Sequence, residues 1–189
     1  MSWQRGRRFA AARFIGAFAI VTVVAVGCSD DNASGPTTVV TLVAAECAAQ
    51  QPSLRVDLVG QAVEAVETQL GGPQQYFEIN ATSLLVNLFV AIDDGTTVRP
   101  FVFLQGELSS TEPETAQGNT FAADALEFDP QKVTSCVADE LPSSTASAFE
   151  IIAGPGGAVS YSLVVDSPAG GQLVVAVSGV GRVLSVDPV

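Results

Sequence analysis

The chain has 189 residues, with eight basic and 20 acidic side chains, no histidine, and a formal charge of −12 at neutral pH. That balance argues against nucleic acid and anionic lipid headgroups as ligands, because both are bound by clustered Lys and Arg. The missing imidazole excludes Ser/His/Asp and Cys/His nucleophile systems and the usual general base near neutral pH.

In chain order, the first 13 residues carry Arg5, Arg7, Arg8 and Arg13 and no acid, and residues 14–27 (FIGAFAIVTVVAVG) carry no charge. Fourteen residues fall short of the roughly 20 needed to cross the hydrocarbon core, so the pattern predicts the basic and apolar regions of a secretory signal. Ala25, Val26, Gly27 and Cys28 follow, then the polar stretch SDDNASGP. This segment resembles the lipobox of bacterial lipoproteins, with Ala25 where leucine is commonest. The resemblance implies cleavage before Cys28, diacylation of its thiol, and anchoring at the outer face of a bacterial membrane, with the choice of membrane open. Each buried acyl methylene contributes about 0.8 kcal/mol, and two chains hold a protein stably where one does not. Cleavage would remove four of the eight basic residues and none of the acids, leaving 162 residues with a formal charge of −16.

Residues 28–36 read as the lipidated cysteine and a flexible tether. Two cysteines remain, Cys47 and Cys136, in a compartment that permits disulfides. They are a possible pair, although Cys136 also suits the buried side of a helix as a small apolar residue.

The remainder divides into a first half (37–108), a linker rich in acids and turn formers (109–120, SSTEPETAQGNT within it), and a second half (121–189). The halves align as copies: Val66 meets Val137, Leu70 meets Leu141, and after one inserted residue Phe77, Glu78 and Ile79 meet Phe149, Glu150 and Ile151. Val59, Val63, Val66 and Leu70 predict a helix stopped by Gly71, Gly72 and Pro73. Asp129 and Pro130 predict the start of a second helix, striped by Val133, Cys136, Val137 and Leu141 and ended by Pro142. Period-two strands follow each helix. Leu84, Val86, Leu88, Val90 and Ile92 share a face before the turn at Asp93, Asp94 and Gly95; Val159, Tyr161, Leu163 and Val165 do so before Ser167, with Leu173, Val175 and Val177 after Gly171. Pro100 requires an edge or a bulge, having no N–H to give.

The expected fold class is therefore α+β: two α-β-β-β repeats, each a helix packed on an antiparallel meander, burying their apolar faces in one shared core. That element order resembles tandem PepSY-like or β-lactamase-inhibitor-like modules of exported bacterial proteins. The resemblance implies binding to, or inhibition of, another extracytoplasmic protein.

No catalytic constellation emerges. Glu64 and Glu67 fall on the polar side of the first helix, Glu112 and Glu114 in the linker, and Asp93 and Asp94 in a turn without the alternating ligands of a calcium loop. Two cysteines and no histidine cannot build a tetrahedral zinc site from the usual cysteine and histidine ligands. The glycines at 154–157 and at Gly179 and Gly181 have no helix after them, so they read as hairpin glycines and not as a phosphate cradle. Phe89, Phe101 and Phe103 read as core. The expectation is a lipid-anchored, non-enzymatic protein-binding or inhibitory module needing no cofactor or metal, with Cys28 as lipid attachment site and oligomeric state open. The alternative is a carrier of an apolar small molecule or lipid, which requires a pocket between helices and sheet.

Overall fold

The computed structural model describes Cys47 and residues 53–189. The leader, Cys28 and the tether lie outside the described residues, as does most of the stretch 37–51.

Within the described chain, α1 (Val59–Leu70) precedes β1 (Gln75–Ala81), β2 (Val86–Ile92), β3 (Thr97–Leu104) and β4 (Glu107–Ser110). Two short strands, β5 (Glu114–Thr115) and β6 (Phe121–Ala122), lead to α2 (Lys132–Glu140). Then come β7 (Thr145–Ala153), β8 (Val159–Asp166), β9 (Gln172–Val177) and β10 (Val183–Pro188).

Both helices follow from local chemistry. On α1, Val59, Ala62, Val63 and Val66 form the buried stripe, each valine contributing about 1.5 kcal/mol on burial. The helix ends where Gly71 takes φ 83°, which lets the N–H groups of Gly71 and Gly72 both reach the Glu67 carbonyl at 2.9 and 2.8 Å. Before α2, the Asp129 carboxylate accepts from the N–H groups of Gln131 and Lys132 at 3.0 and 3.2 Å. That satisfies donors the first turn leaves free and places negative charge at the positive end of the helix.

The strands form one antiparallel sheet in the order β10-β9-β8-β7-β1-β2-β3-β4, with β5 added to β3 and β6 to β1. This corrects the expected fold class. The chain is not two α-β-β-β repeats meeting through their apolar faces; it is a strand-dominated, ten-stranded sheet with two short helices of 12 and nine residues. The physical reason lies in β1 and β7. Each is the first strand after its helix, with an edge left open by its own meander, and the two close those edges on each other, Ile79 opposite Ile151 and Ala81 opposite Phe149. Joined this way, both meanders turn their apolar sides to the same face, where α1 lies over β2 and β4 and α2 over β7.

That covered face is the core: Ile79, Ala81, Val86, Leu88, Val90, Phe101, Phe103, Phe149, Ile151, Leu163, Val165, Val175 and Val177 are all buried. The segment read as a linker is folded along the sheet, Glu114 pairing with Val98 and Phe121 with Tyr76. Pro100 sits inside β3, and its carbonyl accepts from the Thr111 N–H at 3.1 Å. In an antiparallel strand the nitrogen and carbonyl of one residue point the same way. The missing donor therefore faces the interval between β4 and β5, where no ladder partner is required.

Candidate functional site

The opposite face of the sheet carries neither helix. Strand register lays a row of residues across it from edge to edge: Ser109, Val102, Asn87, Asn80, Glu150, Ser162, Ala176 and Ser185, each paired with the next. A parallel row runs Pro100, Phe89, Glu78, Ile152, Ser160. The middle of this face is polar because alternate residues of β1, β2, β7 and β8 are Glu78, Asn80, Asn87, Glu150, Ser160 and Ser162, whereas its margins carry Phe89, Val102, Val164 and Val174. All of these are at least partly exposed, and Ile152 is 39% exposed.

The central groups form a short network. Asn87 Nδ2 donates to Asn80 Oδ1 at 2.7 Å, Asn80 Nδ2 donates to Glu78 Oε1 at 2.9 Å, and Ser162 Oγ donates to Glu150 Oε2 at 3.4 Å. Glu78 and Glu150 lie diagonally across the Ile79–Ile151 crossing, a relation that puts Cβ atoms roughly 7–8 Å apart. Partial burial pushes the Glu150 carboxyl above its ordinary pKa, the Glu78 charge adds to the rise, and the Ser162 hydroxyl offsets part of it. Among the described residues no basic side chain pairs with either carboxylate. Of the four in residues 53–189, Arg55 is 3.3 Å from Asp57 and Lys132 is 4.0 Å from Asp129. Arg99 pairs with Val90 in the register of the covered face, and Arg182 is in the turn between β9 and β10. The face thus offers two carboxylates, two amides and two hydroxyls inside an apolar margin, a surface suited to recognition.

The residues singled out by sequence distribute as follows. Cys47 and Cys136 are joined in a disulfide with Cα atoms 4.9 Å apart, and Cys136 is buried on α2. Asp93 and Asp94 are exposed in the β2–β3 turn at φ 51° and 56°, and among the described residues no three His, Cys, Asp or Glu side chains converge as metal ligands. Glu64 is exposed; Glu67 is half-buried and accepts from the Gln74 N–H at 3.2 Å, fastening the end of α1 to the start of β1. Beneath it, burial and the adjacent Glu67 charge push the Tyr76 hydroxyl far up. Phe101 and Phe103 are core, whereas Phe89 belongs to the open face.

Gly179 and Gly181 do form a turn, but each also packs against backbone. A Cβ on Gly179 would overlap the Glu127 carbonyl oxygen, and one on Gly181 the Lys132 carbonyl oxygen. A recess of about 210 Å³ between α2 and the ends of β7 and β8, bordered by Ser135, Val137, Leu141, Ala146 and Val165, falls below the roughly 300–1,000 Å³ of small-molecule pockets. The Glu78–Glu150 pair escaped sequence reasoning; the available signal was the Phe-Glu-Ile recurrence, which marks equivalent strands without saying that they touch.

No protein-family model, no curated protein and no solved structure matches the chain.

Proposed function

We propose that the chain is a membrane-anchored extracytoplasmic lipoprotein whose folded part is a non-enzymatic protein-binding module, and that it binds through the open face of the sheet. The observation that carries this reading is the pair Glu78 and Glu150 at the centre of that face, partly buried, with no basic partner among the described residues, and framed by Phe89, Ile152, Val102 and Val164. A partner surface presenting an arginine or lysine among apolar side chains would relieve the like-charge repulsion and cover the margin. The Cys47–Cys136 bond supports a location outside the reducing cytosol, and the Cys28 segment supports an anchor there.

Two measurements test the reading. Mass spectrometry of the purified N-terminus should find a diacylated Cys28 and no residues before it; an unprocessed chain in the cytosol refutes the anchor. A photoreactive residue at position 152 should cross-link to a defined envelope protein, and Glu78→Lys with Glu150→Lys should abolish that adduct while leaving the thermal melt cooperative. Absence of any protein adduct, or an adduct indifferent to the charge reversal, refutes the binding face.

A further inference from the structure

Seven large apolar side chains in the described residues are more than a third exposed, and two of them, Leu184 (63%) and Val186 (44%), lie on a strand at one edge of the sheet, with Val180 (65%) in the turn before it and Val189 (72%) just after it. That edge is β10, hydrogen-bonded to β9 alone, so a row of its backbone N–H and C=O groups has no strand partner. The opposite edge is managed differently. There β4 has only four residues, Glu107, Leu108, Ser109 and Ser110, with the three polar ones exposed and Leu108 half-buried. Brevity and charge are the common guards of a strand edge against unwanted pairing. From Val183 to Val186 no charge guards β10.

We propose that β10 pairs with β10 of a second copy of this chain, antiparallel about a two-fold axis at Ser185, making one sheet continuous across two molecules. The unpaired ladder requires an extended strand as occupant, and the sequence of this strand suits its own copy. Antiparallel pairing about Ser185 sets Leu184 of each chain beside Val186 of the other. In the same register Arg182, in the turn just before one strand, lies opposite Pro188 of the other, one residue beyond Asp187. A parallel arrangement would instead stack Arg182 on Arg182 and Asp187 on Asp187, and like charges across a ladder are destabilising. Arg182 has no ion pair among the described residues, and the Asp187 carboxylate accepts from the Ser185 hydroxyl of its own strand at 3.0 Å. Pro188 and the bulge at Leu184 keep the ladder short, which makes the association reversible. Residues 53–189 hold 17 acids against four bases, so the two bodies repel over the distance that salt screens, and association strengthens as ionic strength rises.

Light scattering and sedimentation of the full chain in detergent, across a concentration series, test this. The expected mass rises to that of two chains, more readily in added salt. Leu184→Lys, at an exposed position whose replacement leaves the core intact, should weaken self-association about tenfold. Under mild oxidation Ser185→Cys should give an interchain disulfide, whereas Ser109→Cys on β4 should not. A monomeric mass at every concentration overturns the proposal. So does a dimer that Leu184→Lys leaves unchanged, or cross-linking through Ser109→Cys as efficient as through Ser185→Cys.

Discussion

Replacing Gly179 with alanine tests how the turn between β9 and β10 is held against the approach to α2. The Gly179 carbonyl accepts from the Asp129 N–H at 2.8 Å. An added methyl would overlap the Glu127 carbonyl oxygen and lie 3.2 Å from the Glu127 carbonyl carbon and 3.3 Å from Phe128 Cα. These are main-chain atoms that no rotamer change can move aside. The two segments must separate by about 1 Å, which stretches the Asp129 bond out of range at about 1 kcal/mol, and overpacking adds about 1–3 kcal/mol. The sum, about 2–4 kcal/mol, corresponds to a fall in Tm of about 10 °C for a domain of this size. Gly170→Ala is the control. Its φ is 90° and its Cβ would meet nothing within 4 Å, so its cost is conformational alone, about 1 kcal/mol. Thermal unfolding followed by circular dichroism should therefore rank Gly179→Ala well below Gly170→Ala. If the two melt together, or if Gly179→Ala melts like the parent chain, the steric reasoning is wrong.

Glu150→Gln should stabilise the fold at neutral pH by about 0.2–1 kcal/mol, the scale of a cross-strand like-charge pair. Because the folded pKa of Glu150 is raised, its contribution to stability falls as pH rises from the unfolded to the folded value; the advantage of glutamine should vanish below about pH 4, where both states are protonated, and urea melts at several pH values would show it. Reducing the Cys47–Cys136 bond, which spans 89 residues, should cost about 2–4 kcal/mol in denaturant melts with and without reductant, and Cys136→Ala should become insensitive to reductant. Tyr161→Phe removes the hydroxyl that accepts from the Glu127 N–H at 2.9 Å and should cost about 1 kcal/mol, read by the same melts.

Periodicity and end signals made much of the fold legible. The valine stripe with Gly71 after it located α1, and Asp129 with Pro130 located the start of α2, because both effects act within a few residues. Alternation sorted most strand faces: Val86, Leu88 and Val90 are buried together, as are Leu163 and Val165, but Leu84, placed on the same face, is 70% exposed ahead of β2, and Phe89, read as core, lies on the open face. It could not say which strand lies beside which. A strand with one apolar face satisfies its side chains equally well at a domain boundary or in the middle of a larger sheet, and the β1–β7 pairing that decided between these joins residues about 70 positions apart. The two-residue strands β5 and β6 carry no period, so their stretch read as linker. The same blindness hid the candidate site. Glu78 and Glu150 were matched as equivalents in the Phe-Glu-Ile recurrence, but only the antiparallel seam brings equivalent positions into each other's field.

The seam between β1 and β7 also constrains how this chain can be made and cut. Its hydrogen bonds link the two halves of the polypeptide at the centre of the sheet, so the protein cannot be divided at residues 111–130 into separately soluble fragments. Each fragment would present an inner strand, Tyr76, Ile79 and Ala81 in one and Phe149 and Ile151 in the other, as a bare edge. During synthesis the first half must wait in that state until the second emerges, and closing so distant a pair is slow compared with forming local hairpins. Refolding from denaturant should accordingly be limited by joining the halves, and a stalled or truncated product is the form most prone to aggregate.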